Sequence, residues 1–272
     1  EEMIKILSWS AEGSGQNFLK IFNDIQADIV CIQDLALSEA QFIGFNPTGY
    51  ISYWNWKEKN KEVGTAIFTK LKPLTSEWGI SYKLDKEGRS LTLEYPEFYL
   101  INVFTPLKQG NYDPVRLEWD IVFFDYVQRL MEKKQVVICG NMNVAYGDYS
   151  ETTCTDSEQS EISSLLKLGM MDTYRCRFPR KGESLLRLDY CLMSDTLRQK
   201  LVSSTVYNVG PVSEIVHKPI DVVFDIEDLN VVPVTAAIPL PLLYWVNAMP
   251  KPLDFDKEDD DEQNCCLCEK KN

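Results

Sequence analysis

The stretch "QVVICGNMNVAYGDY", Gln135 to Tyr149, places four apolar residues, Val136 to Cys139, ahead of Gly140 and the turn Asn141-Met142-Asn143. A short apolar run rich in β-branched residues and closed by glycine predicts a strand buried on both faces that opens into a polar loop. Such a strand needs neighbours on either side, so the rest of the chain should supply sheets.

It does. Upstream, "MIKILSW" reads as a strand, "NFLKIFNDIQ" as a helix and "ADIVCIQD" as a second strand. The segments "YISYWNW", "VGTAIFTK", "SLTLEY" and "FYLINVFTP" add strands rich in β-branched and aromatic residues. A long helix is predicted from about Val115 to Lys133, with Leu117, Ile121, Phe124, Tyr126, Val127 and Leu130 as its apolar side. Beyond the opening stretch come a helix near "SEISSLLKLG", the strand "RLDYCLMS" and a last strand, "PIDVVFDI". Strands that pair as hairpins, interleaved with amphipathic helices, predict packed sheets covered by helices, an α/β sandwich over about residues 3 to 228.

After Asp228 the composition changes. Residues 229–250 carry no charge and hold Leu240, Leu242, Leu243, Tyr244, Trp245 and Val246. Pro233, Pro239 and Pro241 each remove a helix donor, which argues against a transmembrane helix and for an extended strip lying on a protein surface. The acidic run "DFDKEDDDEQN" that follows is expected to be solvated. The chain therefore divides into residues 1–228, one domain, and residues 229–272, an apolar Pro-containing segment with an acidic, cysteine-containing tail.

Of 272 residues, 44% are hydrophobic and 25% charged, enough for a sizeable core. The net charge of −13 sets the surface against phosphates, because nucleic-acid affinity rests largely on Lys and Arg displacing counterions. Nucleic acid is therefore not an expected partner; other protein subunits are, through 229–250 and the acidic tail. Cys31, Cys139 and Cys191 lie inside apolar runs, as reduced core thiols do, which points to an intracellular protein of unassigned compartment. Cys265, Cys266 and Cys268 crowd the end; zinc, a lipid or plain solvated thiols are the readings open there, and the ending is not a prenylation box.

The segments "IKILSWSAEG", "ADIVCIQD", "YWNWKEKNKEVGTAIFTK", "YLINVFTP", "VRLEWD", "VVICGNMNVA", "MDTYR" and "RLDYCLMS" occur in an order that resembles the exonuclease III type of apurinic-site endonuclease, within the endonuclease/exonuclease/phosphatase superfamily. The resemblance covers roughly residues 3 to 226. It implies a four-layer α/β sandwich, two mixed β-sheets flanked by helices, with a site at one end of the sheets that uses Mg²⁺ and water against a phosphodiester.

The residues implied for that chemistry are only partly present. At the metal positions stand Ser10 in place of an amide, Glu12, and Asp34 in place of a glutamate. Phe104 stands where a tyrosine would offer a hydroxyl to the phosphate, Leu107 where an asparagine would follow Pro106, and Leu186 where a tryptophan would cap the pocket. Asn141 sits where an aspartate would orient or deprotonate water, and an amide cannot take that proton; general base catalysis is typically worth about 10²–10⁴-fold. Asn143, Asp189 and His217 match the pattern, but Val216 removes a carboxylate beside the histidine. His217, the single histidine, reads either as a catalytic group or as a support held by Asp189. With Ser10 and Val216 as neighbours, Asp34 and Glu12 make a poor cation site, so no cofactor is expected.

The segments that would face DNA are short or acidic here, "RKGESLL" and "YGDYSETTCTDSEQSE". Two functions are weighed: a catalytically degenerate, structural or protein-interaction subunit of a larger assembly, and a divergent Mg²⁺-dependent phosphodiesterase built on Asp34, Glu12, Asn143, Asp189 and His217. The first is the expectation.

Overall fold

The apolar runs pair into two six-stranded sheets in a computed structural model that describes residues 3–11, 22–35, 37–38, 47–81, 83–110, 113–144, 156–178, 187–207 and 217–226. One sheet holds β1 (Met3–Ser10), β2 (Ile29–Gln33), β3 (Ile51–Trp56), β4 (Val63–Thr69), β11 (Leu201–Val206) and β12 (Ile220–Asp225), in the order β11-β12-β1-β2-β4-β3. The other holds β5 (Thr75–Trp78), β6 (Ser90–Glu94), β7 (Phe98–Phe104), β8 (Gln135–Asn141), β9 (Met170–Asp172) and β10 (Asp189–Ser194), in the order β5-β6-β7-β8-β10-β9.

Each sheet has one parallel pair at its centre, β1 with β2 and β7 with β8, and antiparallel neighbours outside it. A parallel pair requires a crossover that returns the chain to the starting end. Helical residues 22–25 lie in the first crossover, and α1 (Pro114–Met131) forms the second. Both pairs therefore finish at the same end of the sandwich, where open α/β sheets place their ligands.

Three hydrophobic clusters define four layers. One lies between the sheets and includes Ile6, Cys31, Leu93, Leu100, Cys139 and Phe224. A second packs α1 and α2 (Asp156–Lys167) on the outer face of the second sheet, and a third packs Phe22 on the outer face of the first. The expected sandwich is the one found. Cys31, Cys139 and Cys191 are free and buried, and Cys191 lies across the ladder from Cys139 with 3.5 Å between sulfurs. No helix among the described residues is long and apolar enough to cross a membrane.

The predicted face of α1 needs correcting. Its buried residues are Arg116, Trp119, Phe123, Tyr126, Val127 and Leu130, whereas Leu117 and Ile121 are 49% and 56% exposed. The helix is apolar on two sides, so periodicity alone could not choose between them. The bulk of Trp119 and Phe123, stacked 6.3 Å apart, decides which side meets the sheet. The start of α1 is set locally: Asp113 accepts from the backbone N–H groups of Val115 and Arg116, and Pro114 occupies the first turn.

The two sides should differ sharply in stability measurements. Trp119→Ala should lower the unfolding free energy in urea by about 3–5 kcal/mol, as expected for a fully buried aromatic. Leu117→Ser should change it by about 0.5 kcal/mol or less.

Candidate functional site

Where the two parallel pairs end, a polar cluster crosses the gap between the sheets. Gln33, at the end of β2, donates from Nε2 to Asn102 Oδ1 at 2.7 Å and to Ser8 Oγ at 3.1 Å. Asn102, on β7, returns two bonds through Nδ2, to the carbonyls of Ile32 at 3.0 Å and Ala66 at 2.8 Å. Gln33 and Asn102 are both 0% exposed. The Asn102 amide is paired on both Nδ2 protons and its oxygen, and it holds a fixed register between layers because every alternative strands a donor, although Gln33 Oε1 itself has no partner among the described residues.

The positions singled out in the sequence fall into two groups on either side of this clasp. In the first sheet, Ser10 lies opposite Gln33 in the β1–β2 ladder, and Asp34 follows directly. Asp34 has a left-handed backbone, φ +47°, and its N–H donates to the Gly64 carbonyl at 2.7 Å. In the second sheet, Asn141 lies between Phe104 and Asp189 in the ladder. Asp189 then reaches back to the first sheet, where His217, just ahead of β12, meets its Oδ2 through Nδ1 at 2.8 Å. Asp189 and His217 side chains are 6% and 5% exposed. With an ionised carboxylate as acceptor, the ring carries its proton on Nδ1 and presents Nε2 away from Asp189.

Asn141 is tied into its own loop. Its Oδ1 accepts from the Asn143 N–H at 2.8 Å, and Asn143, at φ +50°, donates from Nδ2 to the Thr105 carbonyl at 2.8 Å. The strand leading there approaches β7 so closely that a Cβ on Gly140 would lie 1.9 Å from the Val103 carbonyl oxygen, so only glycine fits. Buried Arg116 fixes the loops from below, donating to the carbonyls of Pro106 at 2.6 Å and Met142 at 3.1 Å while pairing with Asp120.

Three cations here were not singled out in the sequence. Besides Arg116 they are Arg89, whose guanidinium lies 4.9 Å from the centre of the Phe104 ring, and Lys57, whose Nζ donates to Asp34 Oδ1 at 2.7 Å. Burial lowers the Arg89 pKa from its ordinary value, opposed by the charges of Asp85, Glu87 and Asp34. For Lys57 and Arg89 the sequence signal is only a basic residue at a strand end, ordinarily a solvated position, and Arg116 sits in the first turn of α1. Leu107 is 67% exposed beside this end, and its apolar side chain brings no donor to it. Glu12, Leu186 and Val216 lie outside the described residues, as do 229–250 and the three terminal cysteines.

A divalent cation of the Mg²⁺ kind requires several hard oxygen ligands carrying uncompensated charge. Among the described residues, no three His, Cys, Asp or Glu side chains gather in a way that could hold a metal. The nearest carboxylate, Asp34, is engaged by an ammonium, and Ser10 contributes a buried hydroxyl with no partner among the described residues. Among the described residues, which leave out Glu12, this donor set does not fit a divalent ion.

A comparison with models of known protein families finds none that matches. Individual proteins do. The chain is 26% identical to an exodeoxyribonuclease of Bacillus subtilis over 235 residues, covering 75% of this chain and 93% of that protein. It is 28% identical to a DNA-(apurinic or apyrimidinic site) endonuclease of Dictyostelium discoideum over 261 residues, 83% of this chain and 72% of that one. Among solved structures, a 3′ phosphatase from Neisseria bound to product DNA hairpin superposes with a TM-score of 0.68 at 21% identity, over 82% of this chain and all of the other. That last likeness establishes the fold alone.

The clasp makes a direct prediction. Asn102→Leu strands two carbonyls and an amide of Gln33, at about 1–3 kcal/mol for each buried orphan, so urea denaturation should register a loss of about 3 kcal/mol or more. Asn143→Ala, which removes one half-buried bond, should cost about 1 kcal/mol.

Proposed function

Because this chain belongs to the exonuclease III-type branch of the endonuclease/exonuclease/phosphatase superfamily, we propose that it is a pseudoenzyme: a catalytically degenerate member that serves as a structural or protein-interaction subunit of a larger assembly. The observation that carries the reading is Asn141. In the position from which the family would direct water stands a neutral amide that is 1% exposed, its oxygen already accepting from Asn143. An amide oxygen so placed has no basicity with which to take a proton from water, and an amide side chain brings no charge to a metal or phosphate. Phe104 supplies a ring under Arg89 where a hydroxyl would be needed, and the Asp34 carboxylate faces Lys57. These changes fall on different strands of both sheets while the clasp beneath them is intact. That pattern fits selection for the frame without selection for the reaction. The acidic balance of the chain, −13, and the uncharged strip 229–250 support a protein partner over nucleic acid.

The second reading is a divergent metal-dependent phosphodiesterase. Asn143 and the buried Asp189–His217 pair favour it, as do the relatives, which are named as an exodeoxyribonuclease and an apurinic-site endonuclease. Against it stands the donor set around Asp34, which does not fit the metal that such a reaction would use.

The two readings separate in one assay. Purified protein, with Mg²⁺ or Mn²⁺, is offered abasic DNA, undamaged DNA, RNA and a small phosphoester beside a His217→Ala control. The pseudoenzyme gives the same background with and without His217. Metal-dependent turnover that His217→Ala abolishes would establish the second reading. The partner surface is tested separately: deleting residues 229–272 should leave a cooperatively folding domain that no longer incorporates into its complex, and normal incorporation would discard the strip as the anchor.

A further inference from the structure

We infer that the cation position at Asp34 is filled from within, by the Lys57 ammonium, and is thereby closed to divalent metals. The inference deepens the reading above, since the family assignment is what makes Asp34 the carboxylate in question.

Lys57 is built into place. It follows β3 directly, and the turn that carries it is held by backbone bonds from Lys57 N–H to the Glu62 carbonyl, from Lys61 N–H to the Lys57 carbonyl and from Glu58 N–H to the Lys86 carbonyl. The side chain is 15% exposed, far less than a solvated lysine, and Asp34 is 26% exposed. Nζ sits 2.7 Å from Asp34 Oδ1 and 4.0 Å from Glu62 Oε2, so a single ammonium is flanked by two carboxylates. Arg89 adds a second positive charge to the surroundings of Asp34. A divalent ion approaching Asp34 would have to displace an ammonium held between two carboxylates, with Arg89 a second fixed cation in the surroundings. Among the described residues Ser10 adds only a neutral hydroxyl, which alone does not offset the dehydration of Mg²⁺.

The test is calorimetric titration of MnCl₂ into the metal-stripped full-length protein, read as binding rather than activity. Wild-type protein should bind Mn²⁺ at Asp34 too weakly to saturate at about 1 mM, within the weak end of carboxylate–cation sites. Lys57→Met, which keeps the buried stem and removes the charge, should bind one Mn²⁺ at least about tenfold tighter than wild type. Lys57→Gln, which keeps a donor to Asp34, should do the same if Lys57→Met folds poorly, with cooperative unfolding checked for each variant. Asp34→Asn on either background should remove the gain. The inference is overturned if wild type binds Mn²⁺ tightly at a site that Asp34→Asn abolishes, or if folded Lys57 variants gain nothing. Its failure is distinct from that of the pseudoenzyme reading. Mn²⁺ binding by wild type without turnover sinks the ion-pair argument alone, whereas His217-dependent turnover in the presence of chelator sinks the pseudoenzyme reading alone.

Discussion

The hydrogen bond from Gln33 to Asn102 joins two sheets across an apolar core that is also bridged by Asn55 to the Ser90 carbonyl and by Trp78 Nε1 to the Trp54 carbonyl. Hydrophobic contact between sheets is non-directional, and it would tolerate small slips of one layer against the other. Two fully buried amides remove that freedom. Asn102 spends both Nδ2 protons on carbonyls of β2 and β4, and its oxygen on Gln33, which in turn reaches β1. Four strands of two sheets are thus referenced to one side chain, close to the end that carries Asp34, Asn141 and Asp189. The Asp189–His217 bond adds a further tie, from β10 to the segment that leads into β12.

A site framed this way can keep its outline when its chemistry changes. The geometry of the loop end depends on the clasp, on Arg116 beneath the loops and on the close approach at Gly140. None of these needs a carboxylate at position 141. The polar groups above can be exchanged for residues that satisfy one another: Asn141 with Asn143, Asp34 with Lys57, Phe104 with Arg89. On the pseudoenzyme reading, each exchange turns a group that would face a ligand into one that faces the protein, and the local cost of an unpaired buried atom falls as it does so. Left-handed Asp34 and Asn143 remain as residues of backbone strain at the mouth of the site, with their bonds redirected inward.

Much of the frame was legible in the sequence because β-branched and aromatic runs mark central strands whatever their partners. The three strands not foreseen, β5, β9 and β11, are all sheet edges. β11 buries only Leu201 and Ser204, and β5 buries only Trp78, so neither carries an apolar run. Helix α1 was foreseen, but its buried face was not, since Leu117 and Ile121 mimic a core stripe that Trp119 and Phe123 actually provide. At the site, Ser10, Asp34, Asn141, Asn143, Asp189 and His217, singled out by the resemblance, lie at one end of the sheets. What sequence could not convey was the charge brought to them from elsewhere. Lys57 and Arg89 are distant in the chain from Asp34 and Phe104, and only the hairpin of β3 with β4 and the pairing of β6 with β7 deliver them.

Asp34 answered by an ammonium rather than by a metal is the point on which the proposed pseudoenzyme reading turns. Anomalous diffraction from crystals soaked in MnCl₂ locates every bound Mn²⁺ independently of affinity models and of activity. No anomalous peak is expected within coordination distance of Asp34, about 2.1–2.2 Å for ions of this class, and Lys57 Nζ should stand in hydrogen-bond contact with Oδ1. A full-occupancy peak on Asp34 at that distance, with Lys57 turned away, would contradict the ion pair and the closed site together.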